Sequence, residues 1–234
     1  MYMHKNHMSL HFIVNHPLYP VKRFFITEHP VRLTFPRNTD IIKQHTDRKE
    51  EGVFAMDQQV IASVASSVAA SVRAFRLPLY HEIPDVGLYL EQVTKYINDC
   101  LSPLMQAELT ASMISNYVKK GMIANPVRKQ YSREQIAYLM FIAMVKSVLS
   151  MEDIRLMVSI QQKTYTAEKA YNYFCKELEN VLEYVFERKS ELKDAGSENT
   201  NEKIMLRNTI ITVAHKVYLD KLFAALRTQE EKNA

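Results

Sequence analysis

A chain of 234 residues, 47% of them hydrophobic, holds enough apolar material for a sizeable core. Its two cysteines, Cys100 and Cys175, lie too far apart in sequence to suggest a disulfide framework or a thiolate zinc site, and reduced thiols fit an expected cytoplasmic setting. The net charge of +4 says little about partners, because residues 1–55 carry eight Lys or Arg against five Asp or Glu and the remainder balances at 22 against 21.

Residues 1–55 also hold six of the eight His and four of the eight Pro, without helical periodicity. No secretory signal is expected, since the apolar run at 10–14 is broken by His11 and bounded by Asn15, His16 and Pro17. His4, His7, His11 and His16 form a cluster but lack a scaffold that could orient them, so no metal site is expected. Lys49-Glu50-Glu51-Gly52 must be encoded by a purine run that can spell a ribosome-binding sequence ahead of Met56. The expectation is that translation starts at Met56 and that residues 1–55 are upstream sequence read as protein, or else a disordered tail.

From Met56 to Phe75 the spacing predicts a helix in which Val60, Val64, Val68 and Val72 form a narrow stripe suited to close packing. Together with a linker punctuated by Pro78 and Pro84 it makes a first segment, residues 56–84, in which His81 and Glu82 are expected to face solvent. Asp85 is expected to cap the next helix, at about 88–99, whose buried stripe is Leu90, Val93 and Ile97.

The stretch 109–158 organises the rest. Thr110 can cap a helix that starts at Ala111 and buries Met113, Ile114, Tyr117 and Val118, with Gly121 as a left-handed stop. Its opposite side carries Ser112, Ser115, Asn116, Lys119 and Lys120. Residues 122–131 are too short for a domain and too basic for a core, which fits a loop or small two-stranded wing. Ser132 and Gln135 have the form of a capping box, opening a helix with Ile136, Leu139, Met140, Ile142, Ala143 and Val145 inward. Ser150 should cap a further helix bearing Ile154, Met157 and Val158. Between 109 and 133 there are five Lys or Arg and no acid, an electrostatic footprint suited to phosphate.

Asn116-Tyr117, Gly121-Met122, Pro126, Tyr131-Ser132, Leu139, Ile142, Leu149-Ser150 and Ile154 resemble the ordered pattern of MerR-type DNA-binding heads. The stretch from about 75 to 158, with Leu77-Pro78 and the run from Gly87 through Val93, more closely resembles a bacterial family, the domain of unknown function numbered 1836, described as helix-turn-helix and MerR-like. The resemblance implies an all-α fold with a MerR-like head and wing at 85–160, and a DNA-binding role, but neither ligand nor operator. The helix before the proposed recognition helix and the connection 100–109 are both longer than in a standard MerR head, so contacts do not transfer residue by residue.

Beyond Pro126 there is no Pro and one Gly, Gly196. Two long helices are expected, at 166–193 with Tyr171, Phe174, Leu178, Val181, Leu182 and Val185 on its stripe, and at about 202–227 with Ile211, Ala214, Tyr218, Leu222 and Ala225. They read as an antiparallel hairpin, 161–234, whose second apolar face suggests a homodimer interface, with an effector site as the less favoured use of its aromatics. The longest apolar run, 138–145, is far short of the roughly 18 residues that a membrane span needs.

No glycine-rich phosphate loop, nucleophile elbow, paired metal-binding His or Cys-x-x-Cys is present, so no catalytic residue, metal or cofactor is expected. The function expected is that of a regulator binding double-stranded DNA. Ala111, Ser112, Ser115, Asn116 and Lys119 would face the major groove, while Lys119, Lys120, Arg128, Lys129 and Arg133 would hold phosphates. Five such contacts correspond to a salt slope of about −4.5 per head. The alternative from another class is a helical adaptor that binds protein through the same head, which would require exposed Met or aromatic residues between 109 and 133.

Overall fold

The computed structural model describes residues 58–105, 107–186, 189–193 and 200–233. The expectations for residues 1–55, including the histidine cluster and the start at Met56, lie outside them.

A helix that is apolar on every side has to sit inside, and the run 138–145 belongs to one. Helix α4, Arg133–Val145, is the hub: Ile136, Ala137, Leu139, Met140, Ile142, Ala143, Met144 and Val145 are all buried. Around it the chain lays down α1 at Gln58–Ser71, a 3-10 turn at Tyr80–Glu82, strand β1 at Leu88–Tyr89, α2 at Leu90–Leu101 and α3 at Ala111–Lys119. Strand β2 at Gln130–Tyr131 precedes α4, and α5 at Met151–Thr164, α6 at Ala167–Val185 and α7 at Asn201–Asn233 follow it. The described residues are thus mainly helical, with one small antiparallel sheet pairing Leu88 with Tyr131 and Tyr89 with Gln130. None of their helices is long and apolar enough to cross a membrane.

Side-chain caps place several helix starts where the sequence puts them. Ser132 Oγ accepts from the Gln135 amide while Gln135 Oε1 accepts from the Ser132 amide, at 3.4 and 2.8 Å. Ser150 and Thr166 cap α5 and α6 in the same one-sided way as Thr110 caps α3. The start of α2 differs. Asp85 does not cap it; the helix begins after the strand, with Gln92 Oε1 accepting from the Tyr89 amide at 2.9 Å, and Asp85 lies 3.6 Å from Arg133 Nη2.

The segment 76–84 is a strap bound to the core rather than a free linker. Leu77 and Ile83 are buried, the Tyr80 amide donates to Asn172 Oδ1 at 2.8 Å, and Arg76 pairs with Glu179 at 2.9 Å. His81 and Glu82 remain exposed, as expected. Gly87 is needed for its size: a Cβ there would come within 2.8 Å of Gln130 Cβ on β2.

Helix α1 packs on α7, burying Val68 and Val72. Helix α6 stops at Val185, short of the expected 193, because the chain folds back on it, with Asn180 Nδ2 donating to the Lys193 carbonyl at 2.6 Å. Its stripe, Tyr171, Phe174, Leu178, Val181, Leu182 and Val185, is buried within the chain, in one core continuous with α4. This chain itself covers that stripe, while Ile204, Leu219 and Phe223 of α7 stay exposed. An ion pair is sealed in the same seam: Glu177, with its side chain fully buried, lies 2.8 Å from Arg207 of α7.

Candidate nucleic-acid interface

Helix α3 is short, and its position is fixed at both ends and from below. Thr110 Oγ1 accepts from the Met113 amide at 3.2 Å. At the other end Gly121, at φ 67, lets the Met122 amide reach the Tyr117 carbonyl at 3.0 Å and the Gly121 amide reach that of Val118 at 2.9 Å. This is a Schellman closure, and Tyr117 and Met122, the positions whose apolar contact usually accompanies it, are both buried. Below, Ile114 and Tyr117 are buried, and burial raises the Tyr117 phenol above its ordinary value. The Lys146 ammonium approaches Met113 Sδ at 3.9 Å, and burial lowers its pKa.

The approach to α3 is held by a residue that pattern reading passed over. Asn98, in the last turn of α2, behaves like one rung of a sheet: its Nδ2 donates to the Leu109 carbonyl and its Oδ1 accepts from the Leu109 amide, both at 2.9 Å. Leu109 itself is buried. Asn98 therefore sets the distance between α2 and the Thr110 cap. The only signal in the sequence is an Asn near a helix end, which is common in surfaces.

With Ile114 and Tyr117 turned inward, Ser112, Ser115, Asn116, Lys119 and Lys120 are all exposed, and Ala111 is half-buried. They fall on one face of α3 by helical spacing. Every Met and aromatic residue between 109 and 133 is buried or half-buried, so this face carries no large apolar side chain.

Within 122–131, expected as a loop or small two-stranded wing, residues 127–130 form a tight turn. Val127 and Gln130 form a bridge closed by a 2.9 Å hydrogen bond from the Gln130 amide to the Val127 carbonyl. The two residues at its tip, Arg128 and Lys129, have φ of 51° and 65°. Two successive positive φ values describe a type I′ turn, usually built from Asn and Gly. Here two exposed cations occupy it instead. L-residues are strained in that region, and such strain concentrates at functional sites. Gln135 Nε2 ties the hairpin stem to α4 by donating to the Ala124 carbonyl at 2.8 Å.

Arg133 is placed apart from the other cations. Its Nε donates to the Ile83 carbonyl at 2.8 Å and its guanidinium lies 5.8 Å from the centre of the Tyr80 ring. It fastens the strap to α4, so of the five basic residues expected to hold phosphate, Lys119, Lys120, Arg128 and Lys129 are presented and Arg133 is engaged.

A groove of about 1290 Å³ runs beside this face, lined by the hairpin, the Gly121 end of α3 and α5. Its charges are mixed, with Arg128 and Arg155 against Asp85, Glu134 and Glu152, and none of Ser112, Ser115, Asn116, Lys119 and Lys120 borders it. Among the described residues no cluster of metal-ligating side chains occurs.

No curated protein and no solved structure matches this chain. A family model does: the one described as Domain of unknown function (DUF1836) matches residues 78–174, from the strap into α6.

Proposed function

We propose that the head is a MerR-like helix-turn-helix with a small wing, and that the protein is a transcription regulator that binds double-stranded DNA. The observation that carries this reading is the outer face of α3, where Ser112, Ser115, Asn116, Lys119 and Lys120 are all exposed and no acid or large apolar side chain intervenes. A recognition helix reads base edges largely from its N-terminal part, and Ser112, Ser115 and Asn116 are the exposed residues there and at mid-helix. Asn116 is the residue suited to bidentate pairing with adenine. Lys119, Lys120, Arg128 and Lys129 would hold phosphates and set the register.

Selection of sites from a random duplex pool tests the division of labour. Asn116→Ala is expected to relax preference at an adenine with little change in salt dependence, whereas Lys119→Ala with Lys120→Ala weakens every sequence alike. A full chain that enriches no sequence, and whose Asn116→Ala variant behaves identically, would remove the base-reading role.

The adaptor reading retains one observation. Val127 and Leu156, 75% and 61% exposed, border the groove of mixed charge, as an interface with a protein would require. Capture of a partner lost in Leu156→Asp but retained in Lys119→Ala with Lys120→Ala would favour it over DNA.

A further inference from the structure

Helices α4, α5, α6 and α7 surround a cavity of about 150 Å³. Its lining includes Phe141 and Phe174, whose rings meet edge-on at 5.3 Å, and Tyr171, 6.2 Å from Phe174. Several polar groups of the wall already have partners. Tyr138 donates to Gln161 Oε1 at 2.9 Å, Gln161 Nε2 donates to the Tyr165 carbonyl at 2.8 Å, and Tyr171 donates to Met140 Sδ at 2.8 Å. A ligand body therefore finds aromatic surface beside Tyr138, Gln161 and Tyr171 groups that are already satisfied. An apolar cavity of about this volume accepts a benzene ring.

Charge enters on one side. Lys169 and Lys203 also line the cavity, their ammonium groups 5.0 and 5.1 Å from the ring centres of Tyr165 and Tyr173. They belong to the first turns of α6 and α7, whose starts carry the positive ends of two helix dipoles. Glu202 offsets part of this field and leaves it cationic. We propose that the cavity binds a small aromatic carboxylate, with its ring against Phe141, Tyr171 and Phe174 and its carboxylate at Lys169 and Lys203. Because α4 and α5 carry the head and α6 and α7 the hairpin, such a ligand touches both.

Phenylacetate and toluene are suitable probes for the full chain, read by saturation-transfer NMR and calorimetry. Phenylacetate is expected to bind and to raise the melting temperature. Ala170→Leu, which fills the cavity from α6, is expected to abolish binding of both probes while the circular dichroism is kept. Lys169→Met with Lys203→Met should weaken phenylacetate about tenfold, the loss of a charge-assisted contact, and toluene less than twofold. Absence of transfer from both probes, or equal affinity of the lysine variant for phenylacetate, would overturn the proposal; the second result does so even where Ala170→Leu fails to fold. The readout contains no DNA, so its failure leaves the DNA-binding reading intact, and the converse holds.

Discussion

The hairpin tip at Arg128 and Lys129 sets stability against function, and exchanging it for Asn-Gly separates the two. Both residues sit at positive φ, 51° and 65°, where an L-residue with a Cβ costs roughly 1–2 kcal/mol. Asn relieves part of that cost and Gly removes it, less about 0.4–1 kcal/mol for the freedom that Gly adds to the unfolded chain. Arg128→Asn with Lys129→Gly should therefore stabilise the protein by about 1–2 kcal/mol. For a chain of this length that raises the melting temperature by roughly 2–8 °C. The same change deletes two of four phosphate contacts, so the slope of log affinity against log salt should flatten by about 1.8. Thermal unfolding and fluorescence anisotropy on duplex DNA measure the two effects on one sample. A variant that is less stable would show that the tip is not strained, and a more stable one with an unchanged slope would show that these cations do not touch phosphate.

Three further outcomes follow from the packing. Asn98→Ala leaves the amide and carbonyl of buried Leu109 without their partner, a loss of about 2–4 kcal/mol that urea titration would read, with hydrogen exchange rising ahead of α3; Asn98→Asp keeps only the acceptor and should cost nearly as much. Removing one partner of the Glu177–Arg207 pair strands a buried charge at about 3–5 kcal/mol, whereas Glu177→Met with Arg207→Met should recover most of it; equal instability of the single and double variants in denaturant melts would contradict the pairing. Burial raises the Cys175 thiol from 9.0 to about 12, which cuts its thiolate fraction about a thousandfold at neutral pH, so mass spectrometry after brief iodoacetamide treatment should find it unmodified in the folded state; rapid labelling without denaturant would contradict the burial.

The parts of the head legible in the sequence are those whose cause is local. Thr110, Ser132 and Ser150 are caps because a side-chain oxygen reaches an amide three residues on, and Gly121 is a stop because of one dihedral angle. The inward and outward faces of α3 follow from period alone. What was missed depends on distant partners. Strand β1 has two residues and exists only because Tyr131 and Gln130 lie opposite, and Asp85 turns to Arg133 instead of α2. The strap at 76–84 looks like a linker by its prolines, yet Asn172, Glu179 and Arg133 bind it. In the same way, nothing local in the sequence shows that Arg133 reaches the Ile83 carbonyl and the Tyr80 ring. The end of α6 carries no Gly or Pro, so the fold-back that places Lys193 on Asn180 has no local sign.

The central claim is that the exposed face of α3 and the hairpin tip present phosphate-binding cations. Anisotropy of the full chain on random duplex DNA, titrated between about 50 and 200 mM salt, tests it most directly. With Arg133 engaged, four contacts predict a slope of about −3.6 per head, falling to about −1.8 in Lys119→Ala with Lys120→Ala. Absence of binding at low salt, or a slope that the two substitutions leave unchanged, would contradict it.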